Sequence, residues 1–513
     1  MNTIWLNPHR QLSDIDRNIF GGFAEHLGRC IYGGIYEPGS HLADPQGFRQ
    51  DILTALKRLN MPVIRYPGGS FVAAYRWRDG VGPRDQRPTR ADVAWNSLES
   101  NTFGTDEFIQ FCRKVGADPY LTINTGDGGL REARDWLEYC NGTQETDIVK
   151  LRHANGYEDP HNVRYWGIGN EVDGPWDIGY KSAEDYARIF SEYSRYMRMV
   201  DPSIVLIASV VSSWHTNFVE RTQLLIEQAG PAIDYLALHW YVGNRDNDFD
   251  AYMTTSELID ERLTAYEGLI DALCLNLGLR ERIPIAVDEW NVWYRTMPEV
   301  SPMATPFEFF KWAAEEAAPQ EPRSETPIGL EEIYNLEDAL VVAMHLNAFI
   351  RHAQTVRMAN IAQIVNAIAP ILTSSDGLVL QTIFYPLELY STTCGPIALD
   401  VYWEGETFSG GDYHAVRLLD VSATLNEATR ELVVYVVNRH QSNRAETEIV
   451  LNAGAFLGNA TIRVVNGLGI HAENNFDSPD SVGTQEATLP IDGTRFRYAF
   501  EPHSVTAIIC SIQ

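Results

Sequence analysis

Between residues 18 and 390, short apolar runs alternate with longer segments whose apolar residues recur at helical spacing. The runs occupy residues 19–24, 62–65, 119–124, 163–170, 205–210, 235–241, 283–289 and 356–364. Because strands that alternate with helices form parallel sheets, these eight units predict a closed (β/α)8 barrel, the TIM barrel, with insertions. An open doubly wound sheet is the alternative, but the residues after the first run match neither glycine-rich nucleotide loop that such sheets typically carry.

Residues that typically begin or end helices lie between the apolar runs. Thr105 opens a helical segment that Gly116 closes, and Ser182 precedes the long segment that reaches residue 200. Gly278 ends a further helical segment, and Glu337 leads into another before the eighth run. These signals support the alternation of strands and helices.

The pattern changes after about residue 390, where short β-branched runs are separated by turn residues. These runs predict an antiparallel β-sandwich as a second domain. We therefore place the barrel at residues 18–390 and the sandwich at residues 391–513, and we expect a strand within residues 1–17 to join the sandwich.

A proline-rich, acidic segment at residues 294–332 directly follows the seventh run. Loops of that length at the carboxyl end of a barrel strand are usually functional. We therefore interpret the segment as a lid or as the wall of a substrate subsite, and not as a linker.

The charge balance excludes some classes of partner. The chain has 40 Lys and Arg against 69 Asp and Glu, a net charge of 40 − 69 = −29, which would repel nucleic acid and anionic membranes. No stretch approaches the roughly 18 apolar residues of a membrane span, and no basic segment followed by an apolar run opens the sequence. We expect a cytoplasmic protein that acts on a neutral substrate. The six cysteines show no CxxC spacing, which favours reduced thiols over disulfides or a metal site.

In a barrel, the residues at the carboxyl ends of the strands converge on one bowl. The side chains that can carry chemistry there are Glu25, His26, Arg65, Asn124, Asn170, Glu171, His239, Tyr241, Asp288, Glu289, Trp290 and Gln363.

Two carboxylates in this set, Glu171 and Glu289, end the fourth and seventh runs, which face each other across a barrel. Hydrolysis of a glycosidic bond needs such a pair, one to protonate the leaving oxygen and one to attack or to activate water. Asp288 points to the opposite side of its strand from Glu289, so we expect it to pack beneath the site. Taken alone, Glu171 is also compatible with turn chemistry and a helix cap, because Asp-Gly-Pro follows it closely.

Seven motifs resemble glycoside hydrolase family 51, the α-L-arabinofuranosidases, and they occur in that family's order. They begin at Phe23 (FAEHLGRCIY), Arg65 (RYPGG), Asp79 (DGVGP), Ala94 (AWNSLE), Gly169 (GNEVDGPW), Asp288 (DEWNVWY) and Ala362 (AQIVN). The resemblance covers residues 14–395, and the C-terminal region resembles the family's sandwich in pattern only.

The resemblance implies a retaining, exo-acting enzyme that needs no cofactor or metal and releases terminal arabinofuranose from oligosaccharides. It makes Glu171 the acid/base and Glu289 the nucleophile, and it implies a homo-oligomer, commonly a hexamer in this family. The residues that it assigns to substrate binding are Arg65 and Tyr241 beside Glu289, Glu25, Asn170 and Gln363 at the furanose hydroxyls, His239 near the acid/base, and Trp176 as a stacking wall near the leaving group.

One departure from the family pattern affects the identity of the sugar. Ser70 follows Pro-Gly-Gly, where relatives carry Asn or Cys, so the glycone pocket gains room there. A β-D-galactofuranosidase is therefore an alternative, and a carbohydrate-binding relative without catalysis is another. Glu25, Arg65, His239 and Gln363 each also have a structural interpretation as buried hydrogen-bonded groups, and Trp95 could contact substrate or only pack. Both glutamates, Glu171 and Glu289, are present whichever of these alternatives holds.

Overall fold

The computed structural model describes residues 2–212, 217–296 and 330–513. Eight parallel strands, each paired with the next along the chain, form a closed barrel in which the last strand pairs with the first. The strands are β1 (Gly21–Phe23), β2 (Val63–Tyr66), β3 (Asp118–Ile123), β4 (Tyr165–Ile168), β5 (Val205–Val211), β6 (Tyr235–Val242), β7 (Ile285–Val292) and β8 (Val356–Ala362). The predicted TIM barrel is confirmed, and each strand lies within or across one of the eight apolar runs.

Side chains fill the amino-terminal end of the barrel interior. A buried cluster takes one residue from each of β2 to β8: Val63, Tyr120, Tyr165, Ile207, Ala237, Ala286 and Met358. Strand β1 contributes a glycine instead, because a Cβ on Gly21 would lie 2.6 Å from the Asn360 side chain and 2.7 Å from that of Val63. The barrel is therefore a packed core, and chemistry is confined to its carboxyl end.

Helices connect the barrel strands and cover them. They span Gln50–Leu59, Thr105–Val115, Leu130–Asn141, Asp147–Ala154, Ala183–Val200, Phe218–Ala229, Phe249–Tyr252, Thr255–Leu277, Leu336–Arg351 and Phe384–Thr393. The predicted end signals are confirmed: the Ser182 hydroxyl accepts a hydrogen bond from the backbone N–H of Asp185 at 3.1 Å, and Gly116 and Gly278 end their helices in the left-handed conformation.

The second domain is a sandwich of two sheets. The four-stranded sheet has the order Tyr402–Glu404, Asn2–Leu6, Ala445–Leu451 and Arg495–Phe500. The seven-stranded sheet has the order Gln11–Asp14, Ile397–Leu399, Leu419–Asn426, Glu431–Asn438, Ser504–Ile512, Phe456–Asn466 and Gly483–Pro490. The N-terminal strand Asn2–Leu6 lies in the four-stranded sheet of this domain.

One pairing in the sandwich differs from the antiparallel prediction. Asn2–Leu6 runs antiparallel to Tyr402–Glu404 but parallel to Ala445–Leu451. No short hairpin connects this strand to either neighbour, so the chain does not force an antiparallel direction on it.

The sandwich packs against two barrel helices. The Asn347 side chain donates to the Asp420 carboxylate at 2.7 Å, and Arg351 binds the same carboxylate at 3.0 Å. Tyr390 stacks on Tyr435 with a centroid separation of 4.1 Å. The domain boundary near residue 390 stays a prediction, since these contacts make the buried core continuous across it.

Most of the predicted lid or subsite wall, residues 297–329 of the segment 294–332, lies outside the described residues. The segment's two described ends meet at Glu332. Its fully buried carboxylate accepts hydrogen bonds from the backbone N–H groups of Tyr294, Arg295 and Thr296 at 2.8–3.2 Å. Glu332 therefore holds the backbone that follows β7 in place.

Two further findings concern the described residues. All six cysteines are free thiols. Among the helices in the described ranges, none combines the length and the hydropathy that crossing a membrane requires.

Candidate active site

The first catalytic candidate is placed by a sharp turn at the end of β4. Gly169 and Glu171 both have positive φ angles, 81° and 37°, so the backbone leaves the strand abruptly. A Cβ on Gly169 would lie 2.4 Å from the Thr125 hydroxyl, and a glycine is therefore required for this turn. The turn aims Asn170 and Glu171 into the bowl from one strand end.

The two predicted catalytic carboxylates meet around one histidine. Nδ1 of His239 lies 2.9 Å from Oε1 of Glu171 and 3.4 Å from Oε2 of Glu289. A carboxylate oxygen of Glu171 lies within 4.8 Å of one of Glu289. Both glutamates are 8% exposed, so the pair faces a largely water-excluded bowl.

Donors surround both oxygens of Glu289. Nη1 of Arg65 donates to Oε2 at 2.8 Å, and the Tyr241 hydroxyl donates to Oε1 at 2.7 Å. Arg65 is 1% exposed and also donates from Nη2 to Oδ1 of Asn170 at 2.6 Å. A guanidinium stays charged at any physiological pH, so it stabilises the ionised form of the carboxylate beside it.

Glu171 has a different environment from Glu289. Burial raises its pKa, while the hydrogen bond and charge of His239 and the hydrogen bond from Trp176 act in the opposite direction. Nε1 of Trp176 donates to Oε2 of Glu171 at 2.7 Å, so the predicted stacking wall contacts the acid/base candidate through its N–H. A carboxyl group with a raised pKa is suited to give up a proton during a reaction.

Asp288 lies beneath the site, but the expectation that it points to the opposite side of β7 from Glu289 is wrong. Both carboxylates contact Arg65 and His239 inside the barrel, because the pairing register of β7 shifts at these residues and breaks the alternation of its side chains. It accepts from the Tyr120 hydroxyl at 2.8 Å and lies 3.4 Å from Nε2 of His239. Although burial lowers the pKa of His239, the charge of Glu289 and hydrogen bonds to Asp288 and Glu171 raise it well above its usual value. The surrounding acids therefore favour the protonated, positively charged imidazole, which offsets part of their negative charge.

Glu25 occupies the wall of the bowl beside β1 and β8. It accepts hydrogen bonds from the Phe71 N–H at 3.1 Å, the Trp95 indole at 2.9 Å and the Gln363 amide at 3.0 Å. Burial and the charge of Glu289 raise its pKa to about 8. A Cβ on Gly68 would lie 2.4 Å from Cγ of Glu25, which explains a glycine there.

Ser70 begins the short 3-10 helix Ser70–Ala74 and interacts with a carboxyl group that the sequence analysis did not select, that of Asp177. Oδ2 of Asp177 accepts from Nδ2 of Asn170 at 3.2 Å. Burial raises the pKa of Asp177 well above its usual value, and the charge of Glu171 adds to the effect. The available signal was an acidic residue directly after Trp176, in the loop that follows the acid/base candidate Glu171.

The predicted site residues thus lie around a single bowl at the carboxyl end of the barrel. They are Glu25, Arg65, Ser70, Asn170, Glu171, Trp176, His239, Tyr241, Glu289 and Gln363. Trp95, which the sequence left undecided, contacts Glu25. Glu171, His239 and Glu289 also offer ligand atoms close enough to hold a cation, but a bound ion would occupy the same oxygens that hydrolysis requires.

Comparisons with known proteins agree with this geometry. Residues 55–257 match the family model described as the α-L-arabinofuranosidase 1 domain, and residues 288–504 match the one described as the α-L-arabinofuranosidase C-terminal domain. The α-L-arabinofuranosidase C of Emericella nidulans is 40% identical over 98% of this chain and 96% of its own length. The chain belongs to glycoside hydrolase family 51, the α-L-arabinofuranosidases.

Relatives from bacteria support the same membership. The intracellular exo-α-(1→5)-L-arabinofuranosidase of Halalkalibacterium halodurans is 39% identical over 86% of this chain and 85% of its own length. The solved structure of a thermostable family 51 α-L-arabinofuranosidase from Thermotoga petrophila is 37% identical, has a TM-score of 0.86, and matches over 99% of this chain and 100% of its own. The family resemblance predicted from seven motifs is confirmed, and the protein is a glycoside hydrolase.

Proposed function

We propose that this family 51 enzyme is an exo-acting, retaining α-L-arabinofuranosidase that works by double displacement. The spacing of Glu171 and Glu289 carries the proposal. Their oxygens approach within 4.8 Å, which fits the roughly 5–5.5 Å between carboxyl groups of retaining enzymes better than the wider separation that leaves room for a water in inverting ones.

In the first step, a carboxylate oxygen of Glu289 attacks the anomeric carbon while Glu171 donates its proton to the glycosidic oxygen. The bond between the anomeric carbon and that oxygen breaks, the aglycone leaves as an alcohol, and the sugar becomes an ester of Glu289. In the second step, Glu171 removes a proton from water, which attacks the same carbon and releases Glu289. Two inversions give net retention.

Some of the surrounding residues contact the two carboxylates, Glu171 and Glu289, and the others bind the sugar. Arg65 and Tyr241 donate hydrogen bonds to Glu289 and orient it, and His239 and Trp176 contact Glu171. Glu25, Asn170 and Gln363 are placed to bind furanose hydroxyls, with Asn170 at the 2-hydroxyl, and Ser70 lies beside them. The protein needs no cofactor or metal in this scheme, because each proton and charge has an acceptor among these side chains.

The sugar is identified by the relatives, which are named α-L-arabinofuranosidases and include an exo-acting enzyme on α-(1→5) linkages. The β-D-galactofuranosidase alternative has no such support. The presence of both glutamates in contact distance of one histidine also argues against a carbohydrate-binding relative without catalysis.

The proposal places the enzyme in the cytoplasm as a homo-oligomer, with a hexamer expected from the family resemblance. The intracellular relative from Halalkalibacterium halodurans supports the cellular compartment. Light scattering coupled to size exclusion measures the oligomer, and a monomeric mass would contradict this part of the proposal.

The decisive experiment compares two substrates and follows one product. We expect turnover of 4-nitrophenyl α-L-arabinofuranoside, at most slight turnover of 4-nitrophenyl β-D-galactofuranoside, and NMR spectra in which the α-anomer of arabinofuranose appears first. Preference for the galactofuranoside would overturn the sugar assignment. Initial release of the β-anomer would overturn the double displacement.

A further inference from the structure

Asp177 is a buried carboxyl group in the active site with no role so far. It is 7% exposed, and the groups that act most strongly on it are Glu171, Asn170, Ser70 and Glu25, none of which is a cation. A carboxyl group buried among other acids opposes folding, and such groups concentrate at functional sites. An apolar residue of similar size at this position would be less costly for folding.

The contact that gives Asp177 a role is its hydrogen bond to Asn170. The Asn170 amide accepts from Nη2 of Arg65 at 2.6 Å and donates from Nδ2 to Oδ2 of Asp177 at 3.2 Å. Rotating the amide by 180° would place its NH2 group against the N–H groups of the guanidinium and its carbonyl oxygen against the carboxyl oxygen. Arg65 and Asp177 therefore select one orientation of the Asn170 side chain.

That orientation matters for the sugar. With one N–H engaged by Asp177, the second N–H of the Asn170 amide is left to donate to a sugar oxygen. Oδ2 of Asp177 can accept this bond whether or not the carboxyl group carries a proton, because either form retains acceptor lone pairs. The arrangement thus persists across the working pH range.

The loop that carries Asp177 is itself held at both ends. The backbone N–H of Lys181 donates to the Val172 carbonyl at 2.7 Å, and the Lys181 ammonium donates to the Thr125 carbonyl at 2.7 Å. Within the loop, the Asp177 N–H donates to the Gly174 carbonyl at 3.1 Å. The carboxyl group is therefore presented to Asn170 from a closed loop.

We propose that Asp177 is a positioning residue for substrate recognition, holding the Asn170 amide in the orientation that donates to the 2-hydroxyl of the furanose. The inference rests on the proposed function, which supplies the sugar and the role of Asn170. Asp177 acts through Asn170 and touches no reacting atom.

The test uses a substrate that lacks the 2-hydroxyl group. Wild type and Asp177→Leu are compared on 4-nitrophenyl α-L-arabinofuranoside and on its 2-deoxy analogue. We expect kcat/KM of the variant to fall about 10- to 100-fold on the parent substrate, as for a displaced binding group, and by less than about threefold on the analogue. Equal losses on both substrates, or no loss on either, would overturn the proposal.

Two further variants make the result independent of folding defects. Asp177→Asn keeps an acceptor for the Asn170 amide and should recover most of the lost kcat/KM, and Asp177→Ala replaces the leucine variant if that protein does not fold. In an Asn170→Ala background, Asp177→Leu should cost nothing further, since the two residues act as one unit. Additive losses would contradict action through Asn170.

Failure of the inference differs from failure of the proposed function. If the wild-type enzyme does not hydrolyse the arabinofuranoside, the proposed function is wrong. If wild type hydrolyses it and the Asp177 variants show no dependence on the 2-hydroxyl, only the role of Asp177 is wrong.

Discussion

Nδ1 of His239 lies 2.9 Å from Oε1 of Glu171. The same nitrogen lies 3.4 Å from Glu289, so one imidazole contacts both proposed catalytic carboxylates. Because the surrounding acids raise the pKa of His239 well above its usual value, they favour a positive charge between Glu171 and Glu289. His239 thereby couples the titration of Glu171 to the charge on its neighbours.

The contact between His239 and Glu171 predicts how substitution of His239 shifts the alkaline limb of the profile of kcat/KM against pH. Burial raises the pKa of Glu171, and the charge and hydrogen bond of His239 lower it. Glu171 must be protonated to act as the acid, so kcat/KM falls as pH rises through its pKa. In His239→Asn the charge is lost, the pKa of Glu171 rises, and the limb should move to higher pH.

Measuring kcat/KM of wild type and His239→Asn from about pH 4 to pH 10 checks this expectation. Trp176→Phe serves as a control, because it removes one hydrogen bond to Glu171 without removing a charge, and should move the limb less in the same direction. A limb that moves to lower pH in His239→Asn would show that Glu171 is not the group being titrated.

Glu289→Ala should abolish turnover while leaving the fold intact, because the variant cannot form the ester intermediate. We expect kcat to fall by about three orders of magnitude or more. Added azide should restore part of the activity and yield arabinofuranosyl azide of the opposite anomeric configuration, identified by NMR. A variant with full turnover would exclude Glu289 as the nucleophile.

Glu171→Ala should show a loss that depends on the leaving group. The first step needs no acid when the leaving group is a good one such as 2,4-dinitrophenolate, whereas loss of general acid catalysis costs about 10²- to 10⁴-fold for poor leaving groups. The measurement is kcat/KM across a series of aryl arabinofuranosides and an arabino-oligosaccharide. A uniform loss across the series would contradict the assignment of the acid.

The raised pKa of Glu25 predicts that the free energy of unfolding depends on pH. Burial and the charge of Glu289 raise its pKa from 4.5 to about 8 on folding, so its stabilising contribution is complete below pH 4.5 and is lost as pH rises through about 8. Glu25→Gln removes this titration. The free energy of unfolding of wild type minus that of Glu25→Gln should therefore decrease from about pH 5 to pH 9.

Guanidinium denaturation at several pH values measures that difference. Glu281→Gln, at an exposed position, provides a matched control for the chemical change from carboxylate to amide. Parallel stability curves for wild type and Glu25→Gln would show that Glu25 does not titrate in this range in the folded protein.

Chelators should leave the activity unchanged. Glu171, His239 and Glu289 could hold a cation, but the proposed chemistry needs their oxygens free. Dialysis against EDTA should therefore preserve kcat, and added Zn²⁺ should inhibit competitively with substrate because imidazole and carboxylate are zinc ligands. Loss of activity on chelation with recovery on metal addition would refute the metal-independent mechanism.

The barrel was predictable because strands buried on both faces appear as continuous apolar runs, and the first four runs here end where polar side chains begin. Glu171 and Glu289 could be selected for the same reason, since Glu171 directly follows the fourth run and Glu289 is the last residue of the seventh. The parallel pairing of Asn2–Leu6 was not predictable, because a five-residue strand carries no signal for the direction of a distant partner.

The side-chain contacts inside the site were harder to predict from the sequence than the identity of the residues that form it. Asp177 lies in a loop, and an Asp after Gly-Pro-Trp resembles ordinary turn chemistry until the fold brings it to Asn170. Trp176 was expected to present its ring face, but its N–H binds Glu171. Such details depend on side-chain torsions and loop closure, which no periodicity in the sequence encodes.

The N-terminal strand also constrains how the protein is made. Asn2 donates to the Glu446 carbonyl across 444 positions, and Ile4 and Leu6 are fully buried in the sandwich. These apolar residues are synthesised before the barrel, and their partners at 445–451 emerge only after the entire barrel has been synthesised. The nascent chain must therefore carry an unpaired hydrophobic strand throughout synthesis of the barrel, and chaperone binding would be most valuable there.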